Sequence, residues 1–235
     1  MSELAARLAE LRGRIAESAR GAGRDPADVA LVAVTKTVAL ERVREAIALG
    51  LRRFGENRVQ EAESKIEALA QTSRDPLEWH LIGSLQRNKV RRAVALCDVI
   101  QSVDRPELIE SLAREAAAQG RRPGIFLQVN IDAEPQKGGC APDALAELAR
   151  QVEAAPQLRL LGLMAIPRAC EHPEEVRPSF ARLRGLLAEL NRARGERAPL
   201  RELSIGMSSD FEVAVQEGAT CVRVGTALFG EREKP

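Results

Sequence analysis

A chain of 235 residues, 45% apolar and 29% charged, can bury a full core and is expected to form one domain over residues 1–235. Its 35 basic and 34 acidic residues nearly cancel and aromatic residues make up only 3%, so nucleic acid finds neither an electrostatic footprint nor stacking platforms. The longest apolar stretches are strand-length and broken by charge, and the Met1 end opens into an Arg/Glu-bearing helix, so the reading excludes export and membrane insertion and expects a cytoplasmic protein.

In chain order, an amphipathic helix over Leu4–Arg20 comes first and is expected to close the underside of the fold. Eight short β-branched runs then alternate with longer helical periodicities, which predicts βα units and parallel strands. Val29–Thr35 is followed by a helix over Leu40–Leu49, Arg52–Phe54 by Arg58–Leu69, Glu78–Ile82 by Asn88–Leu96, and Asp98–Ser102 by Pro106–Gln119. Gly124–Asn130 leads to Pro142–Ala154, Leu158–Ala165 to Glu174–Arg194, Glu202–Ile205 to Asp210–Glu217, and Cys221–Val224 to a short helical turn. Pro106 and Pro142 sit at first helical positions, while Gly50, Gly120 and Gly218 follow last turns as stops. Such a pattern fits a (β/α)8 barrel of the TIM type or an open doubly wound sheet. A barrel makes strand eight the neighbour of strand one, placing Lys36 and the segment 223–230 on one rim, and that is the architecture predicted.

Lys36 stands at the carboxyl end of the first strand, where desolvation and nearby cations can turn a lysine into a nucleophilic amine; a solvated strand-end lysine is the plainer alternative. The eighth strand runs through Arg223 into Gly225-Thr226, and the seventh into Gly206-Met207-Ser208-Ser209-Asp210. Both loops leave N–H groups and hydroxyls free for a phosphate, or serve simply as helix caps. Arg223, two residues before Gly225, faces the barrel interior or its rim and needs a carboxylate, a carbonyl or a ligand atom to meet, the plainer alternative to a ligand being an internal ion pair with, for example, Glu56 or Glu202. His80 alternates with Leu81 in a strand and reads as a hydrogen-bonded wall residue. Cys97, Cys140, Cys170 and Cys221 are dispersed and read as reduced thiols; with only His80 and His172 as histidines, no metal site is expected. The chain contains no Tyr, so no phenol of its own can act as acid or base.

Seven segments occur together in order: VTKT, FGENRVQE, WHLIGSLQRNK, N-x-x-x-E-x-x-K-x-G from Asn130 to Gly139, GLMAIP, LSIGMSSD and VRVGTALFG. In this the chain resembles the pyridoxal phosphate homeostasis proteins (the YggS/PROSC family) over essentially its whole length. The resemblance implies the alanine-racemase-like N-terminal barrel without a C-terminal β domain, and pyridoxal 5'-phosphate as cofactor. It makes Lys36 the Schiff-base lysine, sets Ser208, Gly225 and Thr226 around the phosphate, turns Arg223 to the pyridine nitrogen and lines the ring with Asn57 and Met207.

An arginine opposite the ring nitrogen discourages its protonation and weakens the electron sink. The expected function is therefore non-catalytic: storing the cofactor or delivering it to apo-enzymes, in vitamin B6 homeostasis. A weak racemase-like enzyme acting on an amino acid is the first alternative. A class I Schiff-base aldolase, or a sugar-phosphate isomerase, with Lys36 attacking a substrate carbonyl, is the second. With no helix face resembling a large uncovered apolar patch, a monomer is expected.

Overall fold

The computed structural model describes residues 2–70 and 75–230, so both ends of the predicted domain lie outside the described residues. The first helix, α1 (Glu3–Gly21), opens with Ser2, whose side chain accepts from the Ala5 N–H. Then follow β1 (Ala30–Val34), α2 (Leu40–Ala48), β2 (Arg53–Glu56), α3 (Val59–Leu69), β3 (Glu78–Leu81), α4 (Val90–Leu96), β4 (Val99–Val103) and α5 (Pro106–Gln119). The second half comprises β5 (Gly124–Val129), α6 (Leu145–Ala154), β6 (Arg159–Ala165), α7 (Arg177–Ala193), β7 (Glu202–Ser204), α8 (Phe211–Gln216), β8 (Cys221–Val224) and α9 (Thr226–Phe229).

All eight strands are parallel and close into a barrel in chain order, with β8 returning to β1 through the register Ala30↔Cys221 to Ala33↔Val224. The open-sheet alternative is thereby excluded. Pro106 is the first residue of α5, and Gly120 ends that helix in the left-handed conformation at φ 61°. Three predicted helices start instead with a 3-10 turn, at Arg87–Lys89, Pro142–Ala144 and Pro173–Val176. β2 is longer than the sequence reading, because Gly55 and Glu56 still pair with His80 and Leu81 although neither residue type favours a strand.

Two apolar layers form. The larger lies between the strands and the outer helices, and a smaller cluster of Val99, Phe126 and Met164 sits apart from it. Helix α1 buries Leu4, Leu8, Leu11 and Ile15, a single stripe, against α8, α9 and α2. The expectation that it closes the underside is corrected here. α9 has only four residues and cannot cover the β8–β1 seam, so α1 takes the place of the eighth outer helix. Arg14 fixes it there, pairing with Glu212 and lying 4.8 Å over the Phe211 ring. The underside is a polar mouth bordered by Asp28, Arg53, Glu78, Arg159 and Glu202. Among the described residues no helix is long and apolar enough to cross a membrane.

Gly162 pairs with Glu202 across the β6–β7 seam, and a Cβ there would overlap the Glu202 carbonyl oxygen. Gly162→Ala should therefore destabilise the barrel by roughly 3 kcal/mol, at the upper end for an overpacked methyl. Urea unfolding followed by circular dichroism would measure it, and a midpoint equal to the parent's would show that the seam tolerates a side chain.

Candidate functional site

A cavity of about 580 Å3 opens at the carboxyl-end rim, and all seven predicted residues, Lys36, Asn57, Met207, Ser208, Arg223, Gly225 and Thr226, line it. Lys36 stands two residues beyond β1 in a turn closed by the Val38 N–H to Thr35 carbonyl bond (2.9 Å). Its neighbour Thr37 has φ 61°, a left-handed conformation that a β-branched residue avoids and that costs about 1–3 kcal/mol. Asn57 follows β2, and the loop after β3 lies so close that a Cβ on Gly83 would collide with the Asn57 carbonyl. Sequence reasoning did not assign Val34, Ile82, Gln128 and Ile166 to the wall; they are apolar or neutral rim residues whose side-chain direction depends on strand register.

The loop after β7 is held by a turn that glycine makes possible. Gly206 has φ 90°, and a Cβ there would lie 2.6 Å from that of Ala214. Asp210 accepts from the Met207 N–H at 2.6 Å, and burial pushes its carboxyl above the usual range, against the pull of that bond and of the Arg223 charge. Ser208 reaches across to the next loop, where its Oγ accepts from the N–H groups of Gly225 (3.3 Å) and Ala227 (3.2 Å). Two backbone donors at the start of α9 thus converge on the Ser208 hydroxyl. Gly225 has φ −115°, so glycine is not required there by a positive φ, and it lines the cavity.

Arg223 is buried, and of the partners anticipated it meets carbonyl oxygens rather than Glu56 or Glu202. Nη1 donates to the Ser204 carbonyl and Oγ (both 2.6 Å), and Nη2 to the Ala165 carbonyl (3.0 Å). Burial lowers its pKa, partly offset by Cys221 and Asp210, yet a guanidinium keeps its proton at any ordinary pH. The two proposed counter-ions are engaged elsewhere: Glu202 accepts from Thr220, and Glu56 from Thr35 and Lys65.

That Glu56 group is bonded to Thr35, the residue before Lys36, and was not foreseen. Lys65 of α3 donates to Glu56 Oε1 (2.6 Å) and to the Thr35 carbonyl, while Thr35 Oγ1 donates to Glu56 Oε1 (2.6 Å). Glu56 is fully buried, and its Oε2 has no hydrogen-bond partner among the described residues. Desolvation raises its pKa, with Lys65 and Thr35 opposing. His80 is buried and bonded through both ring nitrogens, as a wall residue. All four cysteines are free, and burial pushes the thiols of Cys97 and Cys140 up to about 12, so they are inert. No group of three His, Cys, Asp or Glu among the described residues could hold a metal.

Residues 7–233 match the family model of the alanine racemase N-terminal domain, which sets the class of barrel. Within that class, a protein of Pseudomonas aeruginosa named "Pyridoxal phosphate homeostasis protein" is 47% identical over 99% of this chain and 97% of its own length. A protein of Aquifex aeolicus with the same name is 43% identical over 97% of each. PipY of Synechococcus elongatus PCC7942, solved with PLP bound, superposes with a TM-score of 0.84 at 42% identity, covering 97% of this chain and all of that one. The chain belongs to this family of pyridoxal phosphate homeostasis proteins.

Lys65→Met would leave Glu56 buried without its cation and should cost about 3–5 kcal/mol at neutral pH. Glu56 would then favour its protonated form more strongly in the folded than in the unfolded chain. Stability should accordingly fall as pH rises from the ordinary carboxylate range through the raised folded value, and the deficit should shrink in acid. Urea titrations at two pH values test the sign; a deficit that grew in acid would contradict it.

Proposed function

We propose that this chain binds pyridoxal 5'-phosphate at the carboxyl-end rim of its barrel and serves vitamin B6 homeostasis by storing the cofactor or handing it to apo-enzymes, without turning over an amino acid. The observation that carries the reading is the shared cavity: an amine at Lys36, a convergent pair of N–H donors at Gly225 and Ala227, and the Arg223 guanidinium all belong to one rim. The donor set fits the group. Neutral hydroxyls and backbone N–H groups suit a phosphate dianion, and neither loop brings a carboxylate into the lining to repel it.

When bound, pyridoxal phosphate supplies an aldehyde that a primary amine captures reversibly and a ring that can withdraw electrons. Lys36 supplies the amine. Ser208, Gly225, Thr226 and the Ala227 N–H hold the phosphate, Asn57 and Met207 flank the ring, and Arg223 faces its nitrogen. A guanidinium in that place opposes protonation of the nitrogen, because two positive charges would meet at hydrogen-bond range. Racemisation further needs acid or base groups on both faces of the substrate carbon, and a chain without Tyr has no phenol to give. Reversible capture and release remain, which is what a carrier requires. In this reading residues 1–235 act as one domain, as a monomer in the cytoplasm, and the partners are apo-enzymes that depend on the cofactor.

Borohydride reduction of the loaded protein followed by peptide mapping should place the pyridoxyl label on Lys36, and Lys36→Ala should lose both label and visible absorbance while keeping its fold. Label found mainly on Lys89 or Lys137 would overturn the assignment. Thr226→Val should weaken binding by about 1 kcal/mol, one hydrogen bond, and Gly225→Leu by clearly more because it fills the cradle. Equal affinity of the Gly225→Leu variant and the parent would move the phosphate elsewhere.

A further inference from the structure

Below the cavity the barrel interior is not filled by apolar residues alone. From Arg223 a line of hydrogen bonds crosses it: Arg223 Nη1 to Ser204 Oγ at 2.6 Å, Ser204 Oγ to Gln101 Oε1 at 2.6 Å, Gln101 Nε2 to His80 Nδ1 at 2.8 Å, and His80 Nε2 to Glu78 Oε1 at 2.7 Å. Arg223, Ser204, Gln101 and His80 are buried; Glu78 opens to the polar mouth at the other end of the barrel. Four strands contribute, so the line runs from one face of the barrel to the other.

Its direction can be derived from one end. The bond to His80 holds the Glu78 carboxyl below the usual range, against the cost of burial, so Glu78 is a carboxylate and can only accept. His80 Nε2 must then carry the proton. With the imidazole neutral, Nδ1 presents a lone pair, and only the NH2 end of the Gln101 amide can meet it. The Gln101 carbonyl is thereby turned to Ser204 and takes its hydroxyl proton. What Ser204 has left for Arg223 is a lone pair. For the neutral imidazole each step admits one arrangement, so an amide orientation otherwise open to choice is fixed by a charge two hydrogen bonds away.

We propose that Ser204, Gln101, His80 and Glu78 are positioning residues: a one-way hydrogen-bond relay that locks the Arg223 guanidinium in place as a donor at the floor of the cofactor cavity. The role in cofactor binding rests on the function proposed above; the relay itself does not. Backbone carbonyls of Ser204 and Ala165 hold Arg223 from its edge, and the relay adds the contact that stops it turning. A row of polar groups inside a barrel is costly unless every member is satisfied, and here donors and acceptors match along the whole line.

Nitrogen-15 NMR of the cofactor-free full chain, labelled at histidine and arginine, tests this without any ligand. In alkaline solution, where an imidazole is neutral, His80 should be the Nε2–H tautomer with Nδ1 unprotonated; an Nδ1–H tautomer would overturn the relay. Ser204→Ala and Gln101→Leu should each speed rotation of the Arg223 guanidinium about tenfold, the worth of one charge-assisted bond. Gln101→Glu, which keeps the acceptor for Ser204 and removes the donor to His80, should alter the His80 signals but leave Arg223 rotation near the parent's. Rotation unchanged in both Ser204→Ala and Gln101→Leu would mean that the relay only fills space. Because the tautomer is read on the unmodified chain, the test survives a variant that fails to fold. A relay confirmed by NMR in a chain that takes up no pyridoxal phosphate would sink the cofactor reading and leave the relay standing.

Discussion

Parallel pairing of β1 with β8 is the contact on which the site depends, because it is the only one that joins the two ends of the chain's strand order. Val32 pairs with Arg223 and Ala33 with Val224, so the turn carrying Lys36 and the loop carrying Gly225 leave the barrel side by side. Closure also removes both edges of the sheet and satisfies their backbone groups internally. Such a barrel is normally packed with side chains through its whole depth. Gly55 leaves room for that packing, since a Cβ there would lie 2.9 Å from Val32 Cγ1 and 3.4 Å from Ile82 Cδ1.

Two buried charges near that cavity are treated in opposite ways. Glu56 is neutralised by Lys65 within a hydrogen bond, so it projects little field and anchors the turn that presents Lys36. Arg223 is surrounded by carbonyl and hydroxyl oxygens, which satisfy its N–H groups without cancelling its charge. Asp210 is near enough to be felt but gives it no hydrogen bond. The positive field at the cavity floor is therefore a product of which partners the guanidinium was given. An ion pair with Glu56 or Glu202 would have removed it.

Much of this was legible in the sequence, for identifiable reasons. Alternating periodicities mark βα units, Pro106 and Gly120 mark the ends of α5, and Lys36, Ser208 and Gly225 sit just past strand ends, where barrel sites are built. What stayed hidden depends on register. Arg223 meets Ser204 and Ala165, nineteen and fifty-eight positions away, and a period-two pattern tells only which face a residue occupies, not which neighbour it reaches. Lys65 was one polar position on an amphipathic helix until β2 extended through Glu56 and brought the two together. α1 was misplaced because an amphipathic stripe shows that a helix must be covered, and the brevity of α9, which creates the vacancy it fills, shows only in three dimensions.

An enzyme that stabilises a carbanion on its cofactor gains from a carboxylate at the ring nitrogen. A guanidinium held by three oxygen acceptors cannot take that role. On the function proposed above it would offer the ring a fixed positive charge, the same before and after an amine displaced Lys36, and so would favour neither retention of one adduct nor progress to chemistry beyond it. For a protein whose proposed task is to take up an aldehyde and return it unchanged, such indifference is the useful property. Such a carrier needs tight recognition of the phosphate, which the proposal assigns to the loops after β7 and β8, and an amine whose bond to the cofactor is reversible, which it assigns to Lys36.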